Sequence, residues 1–484
     1  MSENTATNNV ESLSKSFFGR RKIYIDEVEL NRDNIVQILN MILPQFHENQ
    51  YESVYLYNYY RGNQPILYRQ KPNRPEINNK IVENHAFEFV NFKTQLVLSE
   101  PLTYTRREST SVSANNTEPD DIISKIDELN KIMSLLQSND INKQVVEWMN
   151  ICGHGFKYCI TDDNGQLAIG SLYPRNTEIV YSRSLGNPPI FALQEIRTDD
   201  GTIFWEIYGR KKHFVVKGTD VTETPHTWGD IPIFEYELNN ARMGVIETVI
   251  TLLDAINMSS SDRLNSIVQN VQSFLRCINC RLDEKTYEQL RAQGMLSFTS
   301  DSSNPASVDF ISNDLDQSAA QIEVDHLYQQ ALIISNMPDR KGTERANGDT
   351  GQAVALRDGW TAAESSAKDT QQKFATAEMR FVRMATNILR KKGTLDLNPD
   401  DISIRFVKNS VGNVLAKVQV LEGLLRCGVS PEIAFQLCDI FDDPNNAYLA
   451  SKDFLDQTWN VSSNNQPNVE NNNDNMAVDE SETT

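Results

Sequence analysis

Residues 226–266 read HTWGDIPIFEYELNNARMGVIETVITLLDAINMSSSDRLNS and carry the clearest fold signal of the chain. A Gly-Asp-Ile-Pro turn precedes a predicted strand at 231–237, and the sequence Asn-Asn-Ala-Arg-Met-Gly follows at 239–244. Apolar residues then recur every three or four positions, which predicts a helix over 243–272. Its apolar face consists of Ile246, Val249, Leu253, Ile256, Leu264, Ile267 and Val271. The segment therefore predicts a strand that leads into a helix about 45 Å long, at roughly 1.5 Å per residue.

The composition indicates a large folded protein with an acidic surface. The chain has 484 residues, which predicts two to four domains at about 150 residues each. Apolar residues make up 39% of it, enough for a sizeable core. The net charge of −20 does not favour tight, static binding to DNA, because such binding depends on basic side chains that neutralise phosphates. The charge suits a wall along which DNA slides, and it equally suits an ordinary soluble protein.

The six cysteines do not form a recognisable metal motif. They stand at positions 152, 159, 277, 280, 427 and 438. Cys277 and Cys280 have the spacing of a ligand pair, but no second Cys or His pair follows at zinc-site distance, and the role of the two thiols stays open. The first residues lack the apolar core of a signal peptide, and no apolar run approaches the roughly 20 residues of a membrane span. We therefore expect a soluble protein without a membrane partner.

Motifs of catalysis are missing from the sequence. There is no Walker A motif and no Gly-rich dinucleotide motif after a strand. The segment Gly348–Gly351 could bind an anion through backbone amides, but it lacks the P-loop lysine. The six histidines form no H-x-x-x-H or H-E-x-x-H pair, and no G-x-S-x-G element exists. The sequence therefore predicts no catalytic residue, no cofactor and no metal, and the protein is not expected to be an enzyme.

The N-terminal half changes from helical to alternating spacing. Helical spacing predicts four helices, and Pro44 is expected to end or kink the first of them. They are expected at about 31–44, 79–99, 121–137 and 141–152. Alternating apolar residues then predict strands from Gly155, with Asn164-Gly165 as a hairpin turn. Residues 155–237 are therefore predicted to form a β-rich module.

The C-terminal half is predicted to be mostly helical. Apolar periodicity predicts a helix at 314–336 that Pro338 ends, and a very long helix over 352–392. A strand at 401–407 and helices at about 412–427 and 431–441 follow, with Ser430 as the N-cap of the last. From about Val461 the chain is rich in Asn and acidic residues without a base, and it is expected to be disordered.

Several motifs occur in the order typical of one family, and the chain resembles the portal proteins of tailed bacteriophages with long, non-contractile tails. The strand, Asn-Asn junction and long helix of 226–266 match it. The other matching motifs are Tyr59-Tyr60-x-Gly62, Asn84 with Lys93, Pro101 and Tyr104, Met337-Pro338-Asp339, Thr350-Gly351-x-Ala353, and Leu421-Glu422-Gly423 with Gly428-Val429-Ser430-Pro431-Glu432. One departure is Phe89, which stands where the family has Val, unless Val90 takes that place.

The resemblance implies an α+β, mainly helical portal fold with a β-rich wing module, long stem helices, a small α/β clip and a helical crown. By that analogy the chain divides into a flexible N-terminal segment (1–30), a wing (31–242), stem helices (243–272 and 314–336), a clip (273–313), a tunnel loop (337–351), a long wing helix (352–392), a crown (393–458) and a disordered acidic tail (459–484).

The resemblance also implies a function. Such proteins form a ring, dodecameric in a procapsid, at one capsid vertex of the virion, after assembly in the host cytoplasm. The implied partners are double-stranded DNA, the large terminase subunit, a head–tail adaptor, scaffold and the major capsid protein. Arg340, Lys341 and Arg345 of the tunnel loop are the candidate contacts to DNA phosphates. Two alternatives stay open at this point: a monomeric or low-order head-completion or minor capsid protein, and an enzyme with a cryptic metal or nucleotide site.

Overall fold

The structure is a computed structural model, and it describes most of the chain in two compact units. The described residues are 19–72, 75–107, 119–162, 164–271, 274–278, 305, 307–311, 317–339, 359–406, 414–438, 440–441 and 444–463. The larger unit comprises residues 1–108 and 124–406, and the smaller unit comprises 109–123 and 407–484. The described residues form helices and sheets together, so the predicted α+β class is confirmed.

Seven helices lie wholly or largely in the described part of the larger unit. In chain order they are α1 (Ile35–Tyr60), α2 (His85–Val97), α3 (Pro119–Leu135), α4 (Ser138–Cys152), α5 (Ile250–Val271), α6 (Gln317–Ile334) and α7 (Trp360–Lys392). Short 3-10 turns occupy Pro65–Tyr68 and Pro399–Asp401.

Thirteen strands are described, all in the larger unit. They are β1 (Ile23–Ile25), β2 (Leu102–Arg106), β3 (His154–Thr161), β4 (Leu167–Leu172), β5 (Thr177–Ser182), β6 (Pro189–Arg197), β7 (Ile203–Tyr208), β8 (Lys212–Lys217), β9 (Asp220–Pro225), β10 (Ile233–Glu237), β11 (Phe274–Ile278), β12 (Ser307–Ile311) and β13 (Ile402–Phe406). They form a sheet in the order β1-β5-β6-β7-β8-β9, a sheet in the order β10-β3-β4, and the pairs β11-β12 and β13-β2. Strand β1 runs parallel to β5, and the other ladders are antiparallel.

The β-rich module predicted at 155–237 is present. Gly165 has φ +71°, a backbone conformation that favours glycine, in the tight connection between β3 and β4. The register of that hairpin runs from Phe156 opposite Leu172 to Thr161 opposite Leu167. The turn predicted at Asn164-Gly165 is therefore confirmed.

Helix α1 is longer than predicted, because Pro44 lies inside it. The proline and Asn40, whose carbonyl loses its helical partner, are both on the exposed face. On the opposite face Ile42 and Phe46 are buried against the six-stranded sheet. Of the two expected effects of Pro44, ending the helix is wrong. The residues buried on both sides of the proline stabilise the helix by more than the loss of one hydrogen bond on its exposed face costs.

Other boundaries also differ from those predicted. The helix expected at 79–99 spans only His85–Val97, and the helix expected at 431–441 ends at Leu437. The N-terminal segment expected to be flexible to residue 30 is part of the fold from Gly19, and it contains β1. Helix α5 begins at Ile250 rather than 243, because the preceding residues form turns around Arg242, which has φ +52°. Residues 459–463, expected to belong to the disordered acidic tail, are part of the last helix, which extends to Ser463; the rest of the expected tail, 464–484, lies outside the described residues.

The smaller unit contains three helices in its described residues. They are α8 (Val414–Arg426), α9 (Pro431–Leu437) and α10 (Pro444–Ser463). The side chain of Ser430 accepts a hydrogen bond from the amide of Ile433 at 3.4 Å, so the predicted cap of α9 is confirmed. Phe435 packs on Phe441 and Tyr448. In neither unit does a helix within the described ranges combine the length and apolar character needed to cross a bilayer.

Candidate functional site

Helices α5 and α6, with the strand pair between them, form a helical hairpin. Strands β11 and β12 pair in antiparallel register, from Phe274 opposite Ile311 to Ile278 opposite Ser307. The chain therefore leaves the core along α5, passes through this pair and returns along α6. A helix of 22 residues such as α5 is about 33 Å long.

The base of the hairpin is embedded in the helical core of the larger unit. Leu253 and Ile256 of α5 and Ala331 of α6 belong to one buried cluster, which also includes Tyr59 of α1 and Phe89 of α2. These side chains are at most 1% exposed, so the base cannot shift without opening the core. The hairpin is thus rigidly anchored at one end.

Large aliphatic side chains stay exposed elsewhere on both helices. Their exposed fractions are 52% for Met258, 46% for Ile267, 69% for Ile322, 66% for Ile333 and 50% for Ile334. Ile267 was predicted on the buried face of its helix, and a single chain does not bury it. Exposed large apolar side chains, where they form a patch, often mark a contact with another molecule.

An extended segment, 79–83, is fastened along α5 by side chains of the helix. Alternate backbone amides donate to residues spaced four apart, which share one helical face. The bonds run from Asn79 N to Asn265 Oδ1 at 2.7 Å, from Ile81 N to Ser261 Oγ at 2.9 Å, and from Glu83 N to Asn257 Oδ1 at 2.8 Å. The acceptors are nearly or fully buried. These three hydrogen bonds attach the segment before α2 to the hairpin.

Two titratable groups lie at the base of the hairpin. The carboxylate of Asp254 on α5 accepts a hydrogen bond from the Tyr59 hydroxyl at 2.9 Å, and burial raises the pKa of Asp254 to about 6. Burial alone would lower the pKa of His85, but hydrogen bonds with Glu83 and Glu88 raise that pKa to about 9. The His85 ring also lies 4.5 Å from the ring of Tyr328 on α6.

Arg242 forms a buried ionic cluster just before the hairpin. Its Nη2 lies 2.6 Å from the Glu235 carboxylate, and its Nη1 lies 3.0 Å from Glu178 Oε1. His154 Nδ1 is 2.8 Å from Glu235 Oε1. Burial alone would raise the pKa of Glu235, but the charge of Arg242 and hydrogen bonds from His154 and Tyr181 hold it well below its usual range. The cluster joins β5, β3 and β10 to the turn before α5.

The same cluster brings together three potential metal ligands. Ligand atoms of His154, Glu178 and Glu235 lie within 4.8 Å of one another. The guanidinium of Arg242, however, already contacts both carboxylates. A cation entering the site would have to displace a buried, paired arginine, which is strongly unfavourable. We therefore assign the cluster a structural role.

Glycines allow the Asn-Asn-x-Arg-x-Gly segment to pack directly on other backbone. A Cβ on Gly153, which has φ +81°, would lie 2.1 Å from the carbonyl of Arg242. A Cβ on Gly244 would lie 2.2 Å from the carbonyl oxygen of Ile151. Both glycines are therefore required for the close approach of the junction to the end of α4. The motif that identifies the family in sequence is thus a packing element.

A second buried pair connects α7 to the smaller sheet. Lys157 Nζ lies 3.0 Å from Glu378 Oε1 and donates to Asn142 Oδ1 at 2.8 Å. The hydroxyl of Tyr104 donates to Glu378 Oε1 at 2.6 Å, and Tyr236 donates to Glu378 Oε2. The charges are fully buried and satisfied by hydrogen bonds, as buried ions require.

The residues predicted to contact DNA lie outside the described ranges. Arg340, Lys341 and Arg345 belong to 340–358, as does the Gly348–Gly351 segment. The two ends that flank this segment are close together: a Cβ on Gly359 would lie 3.7 Å from the carbonyl oxygen of Met337 and from the Cα of Pro338. The described residues on the two sides of this segment therefore lie next to each other. Of the two thiols, Cys277 lies in β11, and Cys280 is outside the described ranges.

Sequence reasoning missed the polar residues that organise the site. Arg242 was noticed only as part of a motif. Asn257, Ser261 and Asn265 were likewise noticed only as members of the helix motifs Leu-Leu-Asp-Ala-x-Asn and Ser-Asp-x-x-Asn, and no contact was predicted for them. The sequence feature that could have revealed them is their spacing. They are polar residues four positions apart on a long helix, on a face that was expected to be exposed.

The comparisons with known proteins agree with the motifs. A family described as phage portal protein, SPP1 Gp6-like, matches residues 47–457. The match covers most of the chain, and the chain therefore belongs to this family of phage portal proteins. The portal protein of Bacillus phage SPP1 is similar to it, with 22% identity over 407 residues that cover 77% of this chain and 76% of that protein. The portal interpretation is confirmed.

Two solved structures also resemble the chain. One is described as the neck of an empty GTA particle computed with C6 symmetry, with a TM-score of 0.43 and 11% identity over 78% of this chain and 90% of that chain. The other is described as the neck of a native GTA particle computed with C12 symmetry, with a TM-score of 0.41 and 11% identity over 73% of this chain and 89% of that chain.

Portal proteins are structural assembly proteins of the virion, located at a capsid vertex. The chain thus has a portal and connector function. The charged clusters described above are internally paired and hold the elements around the hairpin in place.

Proposed function

We propose that this chain assembles through the α5–α6 hairpin into a closed ring, dodecameric in the procapsid, through which double-stranded DNA is packaged and ejected. The observation that carries the proposal is the set of exposed aliphatic side chains on both helices. A head-to-tail contact between identical copies would bury them on every subunit when the ring closes. The ring would then dock the large terminase subunit during packaging and the head–tail adaptor afterwards.

The charge of the hairpin supports a channel wall. Helices α5 and α6 together carry Asp254, Asp262, Glu323 and Asp325 against Arg263. Asp254 lies at the buried base and Asp262 pairs with Arg69 and Lys71, so Glu323 and Asp325 are the acidic groups that the wall would present. A ring of such hairpins would repel phosphates from all sides and keep the duplex centred, within a screening distance of about 10 Å at 0.1 M salt. DNA would therefore pass without binding tightly.

Assembly can be tested by placing charge on the hairpin. The double variant Ile267→Lys, Ile322→Lys should fold but fail to close the ring, because lysines would have to be buried at each interface. Leu185→Lys, at a turn position that is 104% exposed, is the matched control. Native mass measurement should give about 660 kDa for a dodecamer of 55.0 kDa subunits in the control and much smaller species in the double variant. A wild-type chain that stays at 55.0 kDa would contradict the proposal.

We further propose that Arg340, Lys341 and Arg345 contact the phosphates of the passing DNA. Met337 and Gly359, which flank the segment, lie close together. This proximity supports a loop that would project from one point of the ring. Replacing these three basic side chains by Ala should leave the mass of the ring unchanged. It should slow DNA packaging or reduce DNA retention, and a nuclease-protection assay measures both. Wild-type rate and packaged length in the triple variant would refute this assignment while leaving ring formation untouched.

A further inference from the structure

A groove lies beside the C-terminal half of α7. Its volume is about 520 Å³, and its other wall is formed by Tyr181 of β5, the loop at Trp228 and the first residues of β10. Four basic side chains line it: Arg380, Arg383, Arg390 and Lys391. Asn387 lies between them on the same helix.

The four basic residues form a row along one side of the helix. Positions 380, 383, 387 and 390 recur every three or four residues, which places them on one helical face. From Arg380 to Lys391 the row spans about 16 Å at 1.5 Å per residue. The floor of the groove is largely apolar, and its lining includes Ile179, Ile231, Ile233, Phe234 and Met384. Asp230 also lines the groove, and its carboxylate lies 3.7 Å from Arg210. A row of cations over an apolar floor is unusual in a chain of net charge −20.

The charges of this row are only weakly neutralised. Arg383 lies 3.5 Å from Asp400, and Arg390 lies 2.8 Å from Asp396, whose side chain is 82% exposed. Exposed pairs of this kind contribute little and exchange readily with another carboxylate. Glu235 also lines the groove, but Arg242 already pairs with it. Lys391 donates to the Thr227 carbonyl and Arg390 to the Leu397 carbonyl, which holds both side chains in place.

We propose that this groove binds an extended acidic segment of a partner protein. Carboxylates of the segment pair with the row on α7, and an aliphatic or aromatic side chain of the segment occupies the apolar floor. An extended peptide rises about 3.3 Å per residue, so about five residues match the row. Duplex DNA fits the groove less well, because protein contacts to its outer surface are mostly polar contacts to phosphate and sugar and would leave the apolar floor uncovered.

The experiment measures binding of a defined probe to the full chain. The probe is a fluorescein-labelled dodecapeptide with six aspartates and two leucines, and its counterpart with asparagines in place of the aspartates is the control peptide. The groove variant is Arg383→Gln, Arg390→Gln, Lys391→Gln. The matched variant Lys131→Gln, Arg183→Gln, Lys368→Gln removes the same charge from exposed positions outside the groove.

We expect anisotropy to show the acidic peptide bound to the wild-type chain and to the matched variant. The groove variant should bind it at least about tenfold more weakly, and salt should weaken the wild-type interaction. Equal loss in both variants, or equal binding of the asparagine peptide, overturns the proposal. A 20-base-pair DNA duplex serves as a competitor. If the duplex displaces the peptide, and if the groove variant weakens binding of the duplex more than binding of the peptide, then DNA is the occupant. If the groove variant no longer has the oligomeric mass of the wild type, the occupant is a second copy of the chain. The DNA result and the oligomer result each overturn the proposal.

Discussion

At the scale of residues, the ionisable groups around the hairpin have opposite effects on stability. Asp254 is buried with one hydroxyl partner, so its charged form is disfavoured in the folded chain. Asp262, two turns further along α5, is held ionised by Arg69 at 2.8 Å and Lys71 at 3.3 Å. The two aspartates, which lie on the same helix, therefore allow the effect of burial on the stability contribution of an ionised carboxylate to be compared directly.

We predict that Asp254→Asn stabilises the protein at pH 8. The folded pKa of Asp254, about 6, lies above its usual value of 3.8, so the wild type gains stability as the pH falls from about 6 to 4. Asparagine mimics the protonated form, and the gain should be about 1–2 kcal/mol at pH 8 and vanish below about pH 4. Urea unfolding at several pH values measures it. Asp262→Asn should destabilise the protein at pH 8, because Arg69 and Lys71 lower the pKa of Asp262 despite partial burial. A destabilising Asp254→Asn would contradict the assignment.

At the scale of elements, His85 links the start of α2 to both helices of the hairpin. His85 contacts Glu88 at 2.9 Å and Glu83 at 3.3 Å. Glu83 in turn accepts from Ser260 on α5, and the Tyr328 hydroxyl of α6 donates to Glu88 at 3.1 Å. The imidazolium thus holds together two carboxylates that each contact one helix.

We predict that His85→Gln destabilises the larger unit in a pH-dependent way. The folded pKa of His85, about 9, lies above the usual histidine value of 6.5. Its charge therefore stabilises the fold fully below about pH 6.5, and this contribution is lost as the pH rises through 9. The loss should be about 1–2 kcal/mol at pH 6 and much smaller at pH 9.5. Thermal unfolding at both pH values measures it. His47→Gln, on the exposed face of α1, is the control and should change little at either pH. An equal loss at both values would show that only packing was removed.

The sequence predicted the elements better than the contacts between them. Periodicity found the strand–junction–helix of 226–266 and the long α7, because each has one apolar face repeated over many residues. It placed the start of α5 seven residues early, because Ile246 and Val249 continue the helical spacing although they are buried in turns. It could not find the Arg242 cluster, since Glu178, Glu235 and His154 are brought together only by the pairing of strands distant in sequence.

At the scale of the whole molecule, the chain is a strongly acidic portal protein of net charge −20 that nevertheless carries local groups of basic residues. The predicted tunnel-loop bases and the row on α7 are two such concentrations. The terminal residues 464–484 have the opposite character, with five acidic residues and no base. These acidic residues are Glu470, Asp474, Asp479, Glu480 and Glu482.

We predict that a chain ending at Ser463 keeps the thermal midpoint and the oligomeric mass of the full chain. Residues 464–484 contain no aromatic residue, so they can bury too little apolar surface to offset the entropy of ordering them. Ending the chain before α10, at Asp443, is the comparison that should lower the midpoint, because Tyr448 packs on Phe435. Calorimetry and native mass measure both. A fall of several degrees on removing 464–484 alone would show that these residues dock on the fold.

The fastening of 79–83 along α5 limits how this part of the gene can vary. Its three bonds use backbone amides, which every residue except proline supplies, so most substitutions in the segment leave them intact. A deletion or insertion of a single codon is different, because successive amides of an extended chain point in opposite directions. It would turn carbonyls toward Asn257, Ser261 and Asn265 and leave buried side chains without donors. Such a segment can drift in composition among related phages while its length stays constant.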